Sequence, residues 1–302
     1  MKKVDIVILT ESRYVNPAMD DVSAQVVVKE DFLLIGALEQ LGLTTARVDW
    51  NDKNFNWSSS RFAVFRSTWD YFYHFKKFKN WLNKANKLIH FINPIELILW
   101  NLDKHYLMDL AEHEINIPET VFIEANERTS LTELFERTGW KEAILKPAIS
   151  GTARHTYRLT TDDLTNHEEQ FQQLIAVESM LLQQFQKSIL RRGEISLVFL
   201  AGTYSHAVIK KARAGDFRVQ NNFGGTVQLY KPTKNEILLA IKCLSVCPSM
   251  PLYARVDIID DNLGQPAIAE LELIEPELWF RLKPKAANDM AAAIRDFVRV
   301  IE

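Results

Sequence analysis

Apolar and polar positions follow two different rhythms along this chain, and the rhythm changes near residue 100. Before that point, short apolar runs rich in β-branched residues (4–9, 44–50, 62–65 and 88–92) predict buried strands. Between them lie segments with helical spacing. Residues 30–41 repeat Phe32, Leu33, Ile35, Leu38 and Leu41 and stop at Gly42, and residues 75–85 form a second such stretch. Strand, helix and strand in alternation predict a parallel α/β sheet covered by helices.

Beyond residue 100 the texture is α+β. Asn101 is placed to cap a helix running to Ala111. A short strand follows Pro118, then helices over 131–138 and 162–176, with strands at 143–145 and 180–182. Two antiparallel hairpins come next. One joins 195–200 to 204–209 through Ala201-Gly202, and the other joins 253–259 to 267–274 through a turn ending at Gly264. Helices over 233–246 and 286–300 complete the chain. No repeat is present, and the change of rhythm sets a domain boundary between 95 and 100.

Composition narrows the class. The chain has 302 residues, 47% apolar and 25% charged, which suits a folded two-lobed body and excludes a disordered one. Lys and Arg total 36 against 39 Asp and Glu, so the basic excess of a nucleic-acid binder is missing. Cys243 and Cys247 have no second pair for zinc and read as two apolar residues on one helix face. The N-terminus turns polar too early for a signal peptide. No apolar run approaches the roughly 20 residues that span a bilayer. A cytoplasmic protein without membrane or nucleic-acid partners is expected.

Four segments carry candidate chemistry. Glu270 and Glu272, two apart on a strand, share a face, and the hairpin sets Asp257 opposite them. Crowded carboxylates repel unless a cation offsets them, and an all-oxygen set favours a hard ion such as Mg²⁺; a solvated outer strand face would show the same alternation. Lys146 ends a strand and precedes the small-residue loop Ser150-Gly151-Thr152-Ala153, which suits a polyphosphate or an ordinary turn. Lys104 falls in the first turn of the helix expected after Asn101, against the helix dipole, where a phosphate would compensate it. Residues 210–225 read as a long cationic loop in which Arg218 can hold anionic oxygens.

In this order, Asp103-Lys104, Lys146-Pro147 with its loop, Gln183-Gln184-Phe185, Gly193-Glu194, Arg218, Asp257 and Glu270-x-Glu272 resemble the ATP-grasp superfamily over nearly the whole chain. The resemblance implies a pre-ATP-grasp domain (1–98), a small ATP-grasp lobe (99–182) and a large lobe (183–302). It implies ATP and Mg²⁺ as cofactors, with Mn²⁺ able to substitute. Lys104 and Lys146 match nucleotide-binding lysines, and Ser150, Gly151 and Thr152 match a loop that closes over phosphates. Gln183, Gln184 and Phe185 match the adenine hinge, and Glu194 the ribose acid. Arg218 matches an arginine that steadies the transferring phosphoryl group, and Asp257, Glu270 and Glu272 match the metal ligands. Glu272 stands where Asn is common, a charge that suits two ions; Gln184 stands where glutamate is common.

Phe65-Arg66-Ser67-Thr68-Trp69-Asp70, Gly215-Asp216-Phe217-Arg218 and Glu270-Leu271-Glu272-Leu273-Ile274-Glu275-Pro276 are similar to the ring-closing ATP-grasp ligases of D-cycloserine biosynthesis and, more distantly, to prokaryotic glutathione synthetases. The implied activity is an ADP-forming ligation or cyclisation of an amino-acid-like small molecule through an acyl phosphate, with room for a homodimer. Arg66, Trp69 and Asp70 follow a strand at its C-terminal end, where α/β sheets place ligands; Glu275 is the fourth substrate candidate. Asp70 as a helix cap and Trp69 as a packed ring account for those residue types equally. A module that only bound nucleotide would dispense with the metal acids or Arg218, and all are present.

Overall fold

The computed structural model describes residues 4–219 and 223–301; Gln220, Asn221 and Asn222 of the cationic segment lie outside the described residues. Strands β1 (Val4–Thr10), β2 (Thr45–Asp49), β3 (Ser60–Ser67) and β4 (His90–Ile92) form a parallel sheet in the order β2-β1-β3-β4. β1 is apolar from Ile6 to Leu9 because both of its faces are covered there. Ile6 and Ile8 pack under Leu34 and Leu38 of the helix Val22–Gln40. Val7 and Leu9 point the other way, onto Phe78 and Leu82 of the helix Phe75–Ala85.

Strands β5 (Thr120–Ile123), β6 (Glu142–Pro147), β7 (Tyr157–Thr160) and β8 (Met180–Gln184) make an antiparallel sheet ordered β5-β8-β6-β7. The helices Leu131–Thr138 and Leu164–Ile175 cover it. The first begins at a capping box between Ser130 and Glu133 and stops where Gly139 turns left-handed. The largest sheet, β11-β10-β9-β12-β13, combines the two predicted hairpins, β9 (Glu194–Leu200) with β10 (Thr203–Lys211) and β12 (Tyr253–Asp260) with β13 (Pro266–Glu272), and adds β11 (Thr226–Tyr230) as an edge. Cys243, on the helix Lys234–Ser245, is buried in its core; Cys247, also buried there, lies just past the helix end rather than on the same helix face. The last helix, Lys285–Ile301, returns to the first lobe, with Met290 and Ile294 packed in the same cluster as Leu34.

Several expectations are corrected. The helix expected from residue 30 starts at Val22, where the Asp21 carboxylate accepts the Ala24 N–H. Asn101 caps nothing: it ends the helix Ile95–Asn101, and a separate helix runs Tyr106–Glu112. Its buried amide instead donates to the Leu271 carbonyl and accepts from the Leu273 N–H, both at 2.8 Å, tying the helix to β13. Lys104 therefore lies between two helices, two residues before the second begins, rather than in a helix's first turn. Lys210 and Lys211 close β10 instead of opening a loop. β7 and β11, short and edge-placed, carried no run long enough to read.

Candidate active site

The two antiparallel sheets, with helices and loops of the first lobe, enclose one cavity of about 860 Å³. Its floor is the β12–β13 hairpin. Asp257 and Glu270 are register partners, so with Glu272 they present three carboxylates, one oxygen of each lying within 4.8 Å of the others. A solvated outer face is ruled out for Asp257, which is almost fully buried. An all-oxygen trio of this spacing fits a hard divalent cation. Cations of the fold flank it. Arg255, two residues before Asp257 and so on the same face, donates to Asp257 at 3.0 and 2.8 Å and pairs with Glu272. Lys210 lies 3.2 Å from Asp257 and pairs with Glu194. Burial pushes the carboxyl of Glu272 up to about 7, helped by Glu270 and Asp257. Burial acts on Glu270 in the same sense, but Lys104 and Lys146 outweigh it and hold Glu270 below its ordinary value.

Beside the acids the cavity is lined by two lysines. Lys104 donates to the Ser150 carbonyl at 2.6 Å and lies 3.3 Å from Glu270. Lys146, on β6, is pushed down to about 8 by burial, against the pull of Glu270. Ser150, Gly151 and Thr152 line the cavity beside them. Gly151 admits no side chain, since a Cβ there would stand 2.6 Å from the ring of Phe72, and Thr152 and Ala153 have left-handed backbone, at φ 49° and 58°.

Gln183, Gln184 and Phe185 line the far end of the cavity as β8 runs out. The Gln183 side chain donates to Thr120, and the Gln184 side chain accepts from Asn262. Gln186, which the sequence reading passed over, is buried with its Oε1 unpartnered in the fold, an acceptor suited to an exocyclic amino group. Arg218 lines the cavity but bonds Asp216 at 2.8 Å and stacks on Phe223, pulling the Asp216 carboxyl down to about 2.

Of the four substrate candidates, two line the cavity and two do not. Trp69 does, and its indole donates to the Glu275 carbonyl at 2.9 Å. Glu275 does too, with its carboxyl pushed up to about 8 by burial and then by Glu272. Arg66 lies outside: its guanidinium donates to the Pro276 carbonyl at 3.1 Å, so it anchors the loop after β13 rather than a ligand carboxylate. Asp70 is also outside and accepts from the Trp50 indole at 2.7 Å, with no side-chain cap bond. Sequence reasoning missed Arg255, although strand parity with Asp257 marks it. It read Lys210 only as charge of the cationic segment, and it missed Trp279, which no local pattern marks.

Two family models match the chain: the N-terminal domain of D-cycloserine synthetase DcsG over residues 6–93, and the RimK-like ATP-grasp domain over residues 103–273. The chain belongs to the ATP-grasp family. This ATP-grasp ligase is 28% identical over 274 residues to the cycloserine biosynthesis protein DcsG of Streptomyces lavendulae, covering 87% of this chain and 92% of that protein. Its fold is similar to the crystal structure of D-cycloserine synthetase DcsG, with TM-score 0.84, 24% identity and coverage of 97% and 99% of the two chains. It is also similar to D-alanine–D-alanine ligase from Bacillus anthracis complexed with ATP, with TM-score 0.68, 14% identity and coverage of 99% and 98%. The ligase is thus an enzyme that forms amide or ring bonds with ATP, and its family works with Mg²⁺. No helix among the described residues is long and apolar enough to cross a membrane.

Proposed function

We propose that this ligase activates the carboxylate of an amino-acid-like small molecule as an acyl phosphate and then closes an amide or a ring. The observation that carries the reading is the convergence of Lys104, Lys146, Asp257, Glu270 and Glu272, from three separate stretches of chain, on one cavity. The triphosphate of ATP lies along Lys104 and Lys146 under the loop of Ser150, Gly151 and Thr152. Adenine sits at Gln183, Gln184, Phe185 and Gln186, and the ribose near Glu194. Asp257, Glu270 and Glu272 would hold Mg²⁺, with Mn²⁺ as a substitute; bound there, the metal would neutralise and orient the phosphates.

A substrate carboxylate oxygen bonds to the γ-phosphorus while the bond to the leaving ADP oxygen breaks. An amine, or a nucleophile within the same molecule, then attacks the acyl carbon and expels phosphate, giving up one proton. Lys146, Arg255 and Arg218 face the charge that spreads over the moving phosphoryl oxygens, and positioning does most of the work. Glu275 borders the amine side. The lobe of residues 1–98 contributes the substrate wall, and the lobes of 99–182 and 183–302 contribute the nucleotide walls. Similarity along the chain to D-cycloserine synthetase supports ring closure of a serine-like precursor.

The test is ADP release from ATP and Mg²⁺ with a panel of amino acids and O-ureido-serine. Glu270→Gln is expected to lower turnover at least about a thousandfold, roughly 4 kcal/mol of transition-state stabilisation, with an unchanged circular dichroism spectrum. Near-normal turnover in that variant removes Glu270 from the metal site and the reading with it.

A further inference from the structure

Past the acids, away from the hinge, the cavity wall is of mixed chemistry. Ser23, Val26 and Val27 of the helix Val22–Gln40 line it, with Arg13 from the short helix before it and Glu275 and Glu277 from the loop after β13. That loop is held by the fold. Arg66, Trp69 and His206 bond the carbonyls of Pro276, Glu275 and Leu278. The Glu30 carboxylate, on the helix, accepts from the Phe280 and Arg281 N–H groups at 2.6 and 2.9 Å. Glu277 therefore stands on backbone that is fixed on either side of it.

Charge singles out Glu277 among the polar groups of this wall. Arg13 is matched, with Asp21 at 3.3 Å. Arg281 is shared: its guanidinium donates to Glu30 at 2.9 Å and to Glu277 at 2.6 Å. One cation between two carboxylates leaves one negative charge over. Glu30 is buried and has two backbone donors besides Arg281. Glu277 has only its Oε1 bonded among the described residues, to Arg281, and its side chain keeps 28% exposure where it lines the cavity. The surplus charge thus rests on the carboxylate with surface to offer a ligand, and the group that complements it is a cation. The reacting carboxylate of the acid substrate has its place at the metal acids, where the phosphoryl group arrives. In an α-amino acid the ammonium is one carbon further on, and the loop carrying Glu277 leaves β13 directly after Glu272.

We propose that Glu277 binds the α-ammonium of the acid substrate, with Arg281 and Glu30 as the residues that position it, so that the ligase requires a free amino group beside the carboxylate it activates. The inference rests on the ligase reading above and agrees with a serine-like precursor, which carries that ammonium. It is tested on the full chain by ADP release with ATP and Mg²⁺. The acid of the amino-acid and O-ureido-serine panel that releases ADP fastest supplies a KM, and the analogue in which hydrogen replaces its α-amine supplies an inhibition constant. In the wild type that constant is expected to lie at least about tenfold above the KM. Glu277→Gln keeps the shape and loses the charge. It is expected to raise the KM about 10- to 100-fold, the worth of a charged hydrogen bond, with a much smaller fall in kcat. The inhibition constant of the amine-free analogue and the KM for ATP should stay within about twofold, whereas a loop that had merely lost its shape would weaken both acids alike. Equal weakening of the two acids, or a wild-type KM in Glu277→Gln, overturns the proposal. In that case ADP release still leaves the ligase reading standing, whereas no ADP from any acid removes that reading and this inference with it.

Discussion

Lys146→Met should make the protein more stable and less able to bind nucleotide, and both effects follow from one buried amine. Its ionisation is depressed from 10.5 to about 8, chiefly by burial. The unfolded chain therefore holds this proton more tightly than the fold does. The charged form destabilises the fold below pH 8, and the cost fades as pH rises towards 10.5. The shift corresponds to at most about 3 kcal/mol, less where cavity water reaches the side chain. Removing the amine should raise the urea midpoint at pH 7 and leave it nearly unchanged at pH 10.5. Nucleotide binding runs the opposite way. A phosphate favours the protonated amine, so above pH 8 binding must take up a proton and affinity falls by up to about tenfold per pH unit. The variant should bind about 10- to 100-fold more weakly at pH 7, the worth of a charged hydrogen bond, and lose the slope between pH 8 and 9.5. The assay is fluorescent-nucleotide titration alongside urea melts at matched pH. A variant that is less stable at pH 7, or that keeps the wild-type pH slope, refutes the reasoning.

One further prediction concerns the cavity wall at Gly151, and another concerns Glu11, just before the helix Ser12–Val15 of the first lobe. Gly151→Ala places a methyl 2.6 Å from the buried Phe72 ring, so nucleotide affinity should drop about tenfold; Phe72→Leu added to it should restore most of that, a coupling of about 1 kcal/mol read by a double-mutant cycle. Glu11 is pushed up to about 7 by burial, then by Asp70 and Asp49. Its ionisation thus costs stability that is absent below pH 4.5 and full above pH 7. Glu11→Gln should stabilise the fold by about 1–2 kcal/mol at pH 8, after discounting for partial exposure, and by nothing at pH 4; thermal melts at the two pH values check it.

Local pattern determined a good deal by itself. The helices Phe75–Ala85 and Leu131–Thr138, both hairpins of the large sheet and the parallel first sheet all follow from period, caps and turns, which neighbouring residues enforce. Strand parity also put Glu270 and Glu272 on one face. What parity cannot say is where that face looks, and the seating of Lys104 and Lys146 opposite it was legible only through family resemblance, because residues 104, 146 and 270 come from separate elements. Tertiary structure alone decided the fate of the polar groups. Asn101 reads as a helix cap, yet its amide has a better use on β13. Arg66 reads as a ligand-binding arginine, yet the Pro276 carbonyl claims it. Lys210 reads as loop charge, yet it lies between Glu194 and Asp257. A buried polar side chain goes wherever the fold leaves a partner unpaired, and that partner lies tens to hundreds of residues away, beyond the reach of any local rule.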